Sequence, residues 1–241
     1  MLDGIREALK GSAPSFTAEE KSRRFKIINS DNPNFQSYGH TIQEIEKIAK
    51  SFFNDYACSY NQATTIFKNL VNSDVLEDQF AGIFFLNHFK KEFSEQTLDL
   101  FYETFSKHCS TWAFCDSSCI RVVGPFLAKR NELAKRTIES WAHSENLWVR
   151  RGSLVILLKI IMLKKDFEPS YVFEFIERMM KYHEEYIQKG IGWLLKTCSK
   201  YKPDVIYQYL EKNKKDLPRL ILRYASEKLS KENRAQILKK E

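Results

Sequence analysis

Three stretches in the second half of the chain decide how it folds: RRGSLVILL at 150–158, QKGIGWLL at 188–195 and LRYASEKL at 222–229. In each, a basic or polar pair precedes a small residue, and an apolar stripe follows. The small residues are Gly152, Gly190 and Ala225, which lie 38 and 35 residues apart. That interval is the length of one helix-turn-helix unit, and a small side chain at the same place in successive units lets neighbouring helices approach closely.

Outward from these copies the same texture continues. Apolar residues recur at helical spacing, as in Ile42, Ile45, Ala49, Phe52 and Phe53, or Leu98, Phe101, Tyr102 and Phe105, and no alternating strand pattern competes with them. Helix starts are marked by Ser94 with Thr97 behind it, Pro169 after Glu168, Pro203 before Asp204, and Pro218 after Leu217. Connections this short make neighbouring helices antiparallel. The expected fold is all-α: a superhelical solenoid of HEAT-like helix pairs, continuous over 1–241 as a single domain. Its first 40 residues form an irregular helical cap, with loops at 11–15 and 29–39.

Composition supports the class. Apolar residues make up 43% of the 241 positions and aromatics 14%, enough for a sizeable core, while 8 Gly and 6 Pro are too few for a turn-rich β protein. The net charge of +7, from 38 Lys and Arg against 31 Asp and Glu, gives a surface that attracts polyanions. The longest apolar run, at 154–163, is interrupted by Lys159 and falls short of the ~20 residues that span a bilayer. A soluble, cytoplasmic monomer is expected, without a membrane partner. The five cysteines, at 58, 109, 115, 119 and 198, contain no CxxC pair and are expected to be reduced thiols. Cys109, Cys115 and Cys119 beside His108 are spaced more loosely than the ligand pairs of structural zinc sites, so neither a metal nor an organic cofactor is implied.

Common catalytic signatures are missing: no phosphate-cradling glycine loop, no HExxH, no nucleophile elbow. The tryptophans stand out instead, with all four, Trp112, Trp141, Trp148 and Trp193, lying between residues 112 and 193. Trp112 and Asp116 are four apart, so on a helix they share one face. The same spacing also fits a helix start in which Asp116 caps the segment that follows and Trp112 packs inside. In SENLWVRRGS, Ser144 is the expected N-cap, which puts Trp148, Arg150 and Arg151 in the first turns. Cations are disfavoured there, so the arginines call for a nearby anion, Asp116 or a phosphate, unless they are simply solvated. Lys189, Gly190 and Trp193 fall within one turn, with core packing by Trp193 as the plain alternative to a functional role.

Taken in order, Trp112-x3-Asp116, Asn146-x-Trp148-x2-Arg151 and Gln188-Lys189-Gly190-Ile191-Gly192-Trp193 resemble the AlkD-type DNA alkylation-repair glycosylases, whose HEAT-like repeats form a concave basic groove. The resemblance runs from about residue 38 to about residue 230. It implies that Asp116 is the catalytic carboxylate, Arg151 its partner and a phosphate contact, and Trp112 and Trp193 the aromatic walls facing the damaged nucleotide. Arg150, Lys189 and Trp148 would be supporting DNA contacts. The chain departs from the family pattern at Ala113, Phe114 and Cys115, between the tryptophan and the aspartate.

The implied chemistry is coherent. Breaking an N-glycosidic bond passes through an oxocarbenium-like sugar, which a fixed carboxylate stabilises. Ordinary glycoside hydrolysis also needs an acid on the leaving group. An N3- or N7-alkylated purine is already cationic and departs neutral, so a lone aspartate suffices. The expected function is therefore a monofunctional glycosylase that removes such purines from double-stranded DNA. Two alternatives remain: a catalytically inactive HEAT-repeat module that recognises distorted or branched DNA, and a protein-interaction scaffold, which would leave Trp112, Asp116 and Arg151 without purpose.

Overall fold

A computed structural model describes residues 1–28 and 30–239, with only the backbone described at Ala18, Lys21, Arg24, Phe25 and Ile27. It is all-α, and no strand occurs among the described residues. The chain divides into two compact units, Met1–Phe126 and Leu127–Glu241.

The first unit contains α1 (Leu2–Gly11), α2 (Ala18–Ile28), α3 (Ile42–Asp55), α4 (Tyr60–Val71), α5 (Leu76–Asn87), α6 (Glu95–His108) and α7 (Trp112–Ser118). A π-helical stretch, Cys119–Val123, carries α7 into α8 (Gly124–Leu127). Helix α5 packs on α3, α4 and α7, and its residues from Glu77 to Leu86 are all buried. The core is aromatic: Phe67, Phe85, Phe101, Phe105 and Phe114 are fully enclosed. Burying each such side chain contributes about 1.5–3 kcal/mol.

Side chains satisfy the free N–H groups at the helix starts. The Thr41 hydroxyl accepts from Glu44 N–H and Glu44 reaches back to Thr41 N–H, and Ser59 and Gln62 repeat the exchange. At α6 the Thr97 hydroxyl accepts from Ser94 N–H at 3.0 Å. The loops expected near 11–15 and 29–39 are present around α2, except that Asn29 lies outside the described residues. The second loop is pinned at two places. Gln36 exchanges backbone bonds with Asp74 and Leu76. The enclosed Glu77 carboxylate accepts from the backbone N–H groups of Tyr38, Gly39 and His40 and from the Ser37 hydroxyl. Gly39 has φ +91°, a left-handed conformation that glycine adopts without strain.

The second unit contains α9 (Asn131–Ala142), α10 (Leu147–Lys164), α11 (Pro169–Met179), α12 (Glu185–Cys198), α13 (Pro203–Asn213), α14 (Arg219–Ala225) with a 3₁₀ turn at Ser226–Lys228, and α15 (Lys231–Leu238). Every second helix forms a layer, with α10 on α12 and α12 on α14, while α9 backs α10 and α11 and α13 back α12. This is the arrangement expected of stacked helix pairs. The three repeat copies fall on α10, α12 and α14, the helices of that layer. A Cβ on Gly190 would sit 2.9 Å from Leu154 Cδ1 of α10, and one on Gly192 would sit 2.5 Å from Tyr224 Cβ of α14. Both glycines are therefore places where neighbouring helices leave no room for a side chain, and Ala225 at the matching place in α14 is fully buried.

Candidate nucleic-acid interface

In the second unit the site begins at the start of α10. Asn146, not Ser144, is the N-cap: its Oδ1 accepts from Trp148 N–H at 2.9 Å and Val149 N–H at 3.2 Å. Ser144 acts one step earlier, its hydroxyl accepting from Asn146 N–H at 3.2 Å. Both arginines are buried, Arg150 at 6% exposure and Arg151 at 4%, so the solvated alternative does not hold. Arg150 donates to the carbonyls of Ser144 at 2.8 Å and Glu145 at 2.7 Å, forms an ion pair with Glu184, and lies over the Tyr182 ring at 4.4 Å. The anion that the arginine pair called for is thus, at Arg150, a carboxylate at the start of α12. Trp148 is enclosed as well, its ring centroid 5.1 Å from that of Tyr186.

Arg151 Nη1 donates to the Tyr186 carbonyl at 2.5 Å, and its guanidinium carbon is 6.0 Å from the Tyr186 ring centroid. Lys189 approaches the same ring at 5.7 Å and pairs with Glu185 at 2.7 Å. Hydrogen bonding to Glu185 pushes the Lys189 ammonium pKa up. The rotation of α12 explains the grouping. Gly190 faces α10 and Gly192 faces α14, so the arc between them carries Tyr186, Lys189 and Trp193, all half-buried. The opposite arc carries Ile187, Ile191, Leu194 and Leu195, all fully buried. Trp193 therefore lies on the accessible side of α12 with Lys189.

In the first unit the Thr111 hydroxyl caps α7 by accepting from Ala113 N–H at 3.2 Å. Asp116 lies inside that helix, so the reading in which it caps the next segment is replaced by the shared face with Trp112. Trp112 is half-buried and Asp116 is 7% exposed. Phe114 and Cys115 point into the core, Phe114 edge-on to Phe105 at 6.1 Å between ring centroids. Burial, then the Cys115 thiol, then the charge of Asp116 push the Cys119 thiol well above its ordinary pKa. Among the described residues no cluster suited to a metal ion occurs.

Sequence reasoning missed Glu184, Tyr182 and Tyr186. The signal was the run His183-Glu184-Glu185-Tyr186, carboxylates and an aromatic at the positive end of a helix. It also missed the π-helical stretch after α7, where Gly124 N–H bonds back to the Cys119 carbonyl. Residue patterns mark such insertions weakly, yet they are frequent beside functional groups.

The fold is that of a helical-repeat protein, and the comparisons give it a family. The chain matches the family described as DNA alkylation repair enzyme over residues 5–229, and it belongs to that family. Its role is accordingly in DNA repair, with DNA as its partner. No curated protein matches the chain. Among solved structures, it is similar to a protein of Enterococcus faecalis described as a predicted DNA alkylation repair enzyme, with 19% identity, 91% of this chain and 100% of that one covered, and a TM-score of 0.75. It is also similar to AlkD2 of Streptococcus mutans, with 20% identity, 88% and 98% covered, and a TM-score of 0.58. These likenesses establish the shared fold. Among the described residues no helix is long and apolar enough to cross a membrane.

Proposed function

We propose that the protein is a monofunctional DNA glycosylase that hydrolyses the N-glycosidic bond of cationic N3- or N7-alkylated purines in double-stranded DNA. The observation that carries this reading is the pairing of Asp116 with Trp112 on one face of α7, where Asp116 is the only acid in residues 112–123. Asp116 acts as a fixed carboxylate opposite the developing charge on the sugar, and it positions water for attack at C1′. No proton donor is required, because the alkylated base leaves neutral. Trp112 and Trp193 offer indole faces to cationic groups, an attraction of about 0.5–2 kcal/mol each.

Arg151 and Lys189 contact the phosphate backbone. Arg150 and Trp148, both enclosed, serve as positioning residues: Arg150 ties the start of α10 to the start of α12 and so holds the backbone beneath Arg151. The alternative of a catalytically inactive DNA-binding module draws support from the low exposure of Asp116.

One experiment separates the two. N-methylated duplex DNA is incubated with the wild type and with Asp116→Asn, and released 3-methyladenine and 7-methylguanine are measured together with duplex binding. Release by the wild type that collapses in the variant, with binding retained, supports hydrolysis. Binding by both proteins with no release from either overturns it.

A further inference from the structure

The repeat register picks out a set of equivalent positions that extends beyond the arginine and lysine already considered. In the three copies, the residue just before the small one is Arg151, Lys189 and Tyr224. Because α10, α12 and α14 form one layer, these three positions lie on adjacent helices of that layer, within about a turn of one another. Their contacts link them in order. The position of a Gly190 Cβ is 3.6 Å from Arg151 Nη1, which places the guanidinium against α12 just beside Lys189. The Tyr186 ring lies 6.0 Å from Arg151 and 5.7 Å from Lys189, so both cations approach one ring. Glu185 first, and then the Tyr224 and Tyr186 phenols, raise the Lys189 pKa, which puts all three near its ammonium. Gly192 lets the Tyr224 side chain start directly against the α12 backbone, and Tyr224 remains half-buried.

We propose that Arg151, Lys189 and Tyr224 form a track for consecutive stretches of one DNA strand, in which Tyr224 is a neutral phosphate-binding residue and Glu185 is the counter-ion that Lys189 exchanges for phosphate. The proposal rests on duplex DNA being the ligand of the proposed function. The track is graded in chemistry: a guanidinium fixed by a carbonyl, an ammonium paired with a carboxylate, and a phenol hydroxyl. Packed helices lie about 8–10 Å apart, and one strand presents a phosphate about every 3.4 Å of duplex axis. Because the strand winds around that axis, its successive phosphates are farther apart than the rise, and each step of the track covers about one to two phosphates.

The test measures binding of an unmodified fluorescent duplex as a function of salt, for the wild type, Lys189→Ala, Tyr224→Phe and Glu185→Gln, together with phosphate-ethylation interference. Lys189→Ala lowers the slope of log affinity against log salt by about one. Tyr224→Phe weakens binding about 3- to 10-fold at every salt concentration with the slope unchanged, because it deletes a neutral donor. Its ring and Cβ remain against Gly192, so its melting temperature stays that of the wild type. Glu185→Gln tightens binding. Interference shows sites about one to two phosphates apart on one strand, and Tyr224→Phe erases the last of them.

Wild-type affinity in Tyr224→Phe, or an unchanged slope in Lys189→Ala, overturns the track even if methylated DNA is still hydrolysed. The predicted binding pattern without base release upholds the track and overturns the glycosylase reading instead. Failure of the wild type to bind duplex DNA overturns both.

Discussion

The two units bury charges of opposite sign. Among the described residues of Met1–Phe126, the enclosed charged side chains include the carboxylates of Glu77, Asp78 and Asp116; in Leu127–Glu241 they include the guanidiniums of Arg150 and Arg151. Burying an ion costs several kcal/mol unless its hydrogen bonds are replaced, and the units replace them differently. Glu77 is held by backbone N–H groups and a hydroxyl, with no ion-paired cation among the described residues. Arg150 is held by two carbonyls and by the carboxylate of Glu184. In both units, backbone dipoles do much of the work of water. The comparison teaches that such a charge is fixed in place before any ligand arrives, and a preorganised charge can stabilise a transition state without reorganising.

The sharpest way to break this comparison is at Asp116. If it acts as a fixed charge, Asp116→Asn keeps the shape of α7 and removes only the charge. Base release then falls about 100-fold or more, while the melting temperature moves little. A variant that loses activity only because it unfolds would place Asp116 with Glu77, as a structural anion.

Stability measurements on the anchors rank next. Glu77→Ala strands three backbone N–H groups around the 38–40 turn, and the expected loss is about 3 kcal/mol in urea denaturation. Glu184→Ala leaves the Arg150 guanidinium with its two carbonyls but without its counter-ion. Glu184 is 40% exposed, which discounts its share, and a loss of about 2 kcal/mol is expected. Equal losses in the two variants would mean that counter-ion and backbone solvation are interchangeable here, against the difference drawn between the units.

What the sequence made legible follows the same physics. Gly152, Gly190 and Ala225 could be read as a repeat because helix approach constrains the residue at the contact itself, and they fall on α10, α12 and α14. The shared face of Trp112 and Asp116 was legible because helical spacing is local. The partner of Arg150 was not, because Glu184 lies 34 residues away and only the stacking of α12 on α10 brings it close. The cap of α10 shifted from Ser144 to Asn146 because either side chain can accept at a helix start, and the choice depends on where the chain turns. Tyr186 was invisible as a site residue because its role uses its carbonyl as well as its ring.

The smallest expected effect concerns Asp78, a buried carboxylate whose compensation is incomplete. Ser73 donates to its Oδ2 at 2.7 Å and Arg6 lies 3.4 Å from the same oxygen, while Oδ1 has no hydrogen-bond partner. Burial, with the nearby Glu77 charge adding to it, outweighs Ser73 and Arg6 and raises the Asp78 pKa. The folded protein thus holds the Asp78 proton more tightly than the unfolded chain does. Between the ordinary carboxylate value and the raised one the native state binds more protons, so this residue's contribution to stability falls as pH rises through that window and is flat above it. Asp78→Asn removes that dependence and keeps an acceptor for Ser73. In urea denaturation, the variant should gain on the wild type as pH rises from the carboxylate range towards neutrality, and the gap should close again on acidification. A gap that widens on acidification would mean that the Arg6 pairing dominates, and Asp78 would then belong with the charges that their partners fully stabilise.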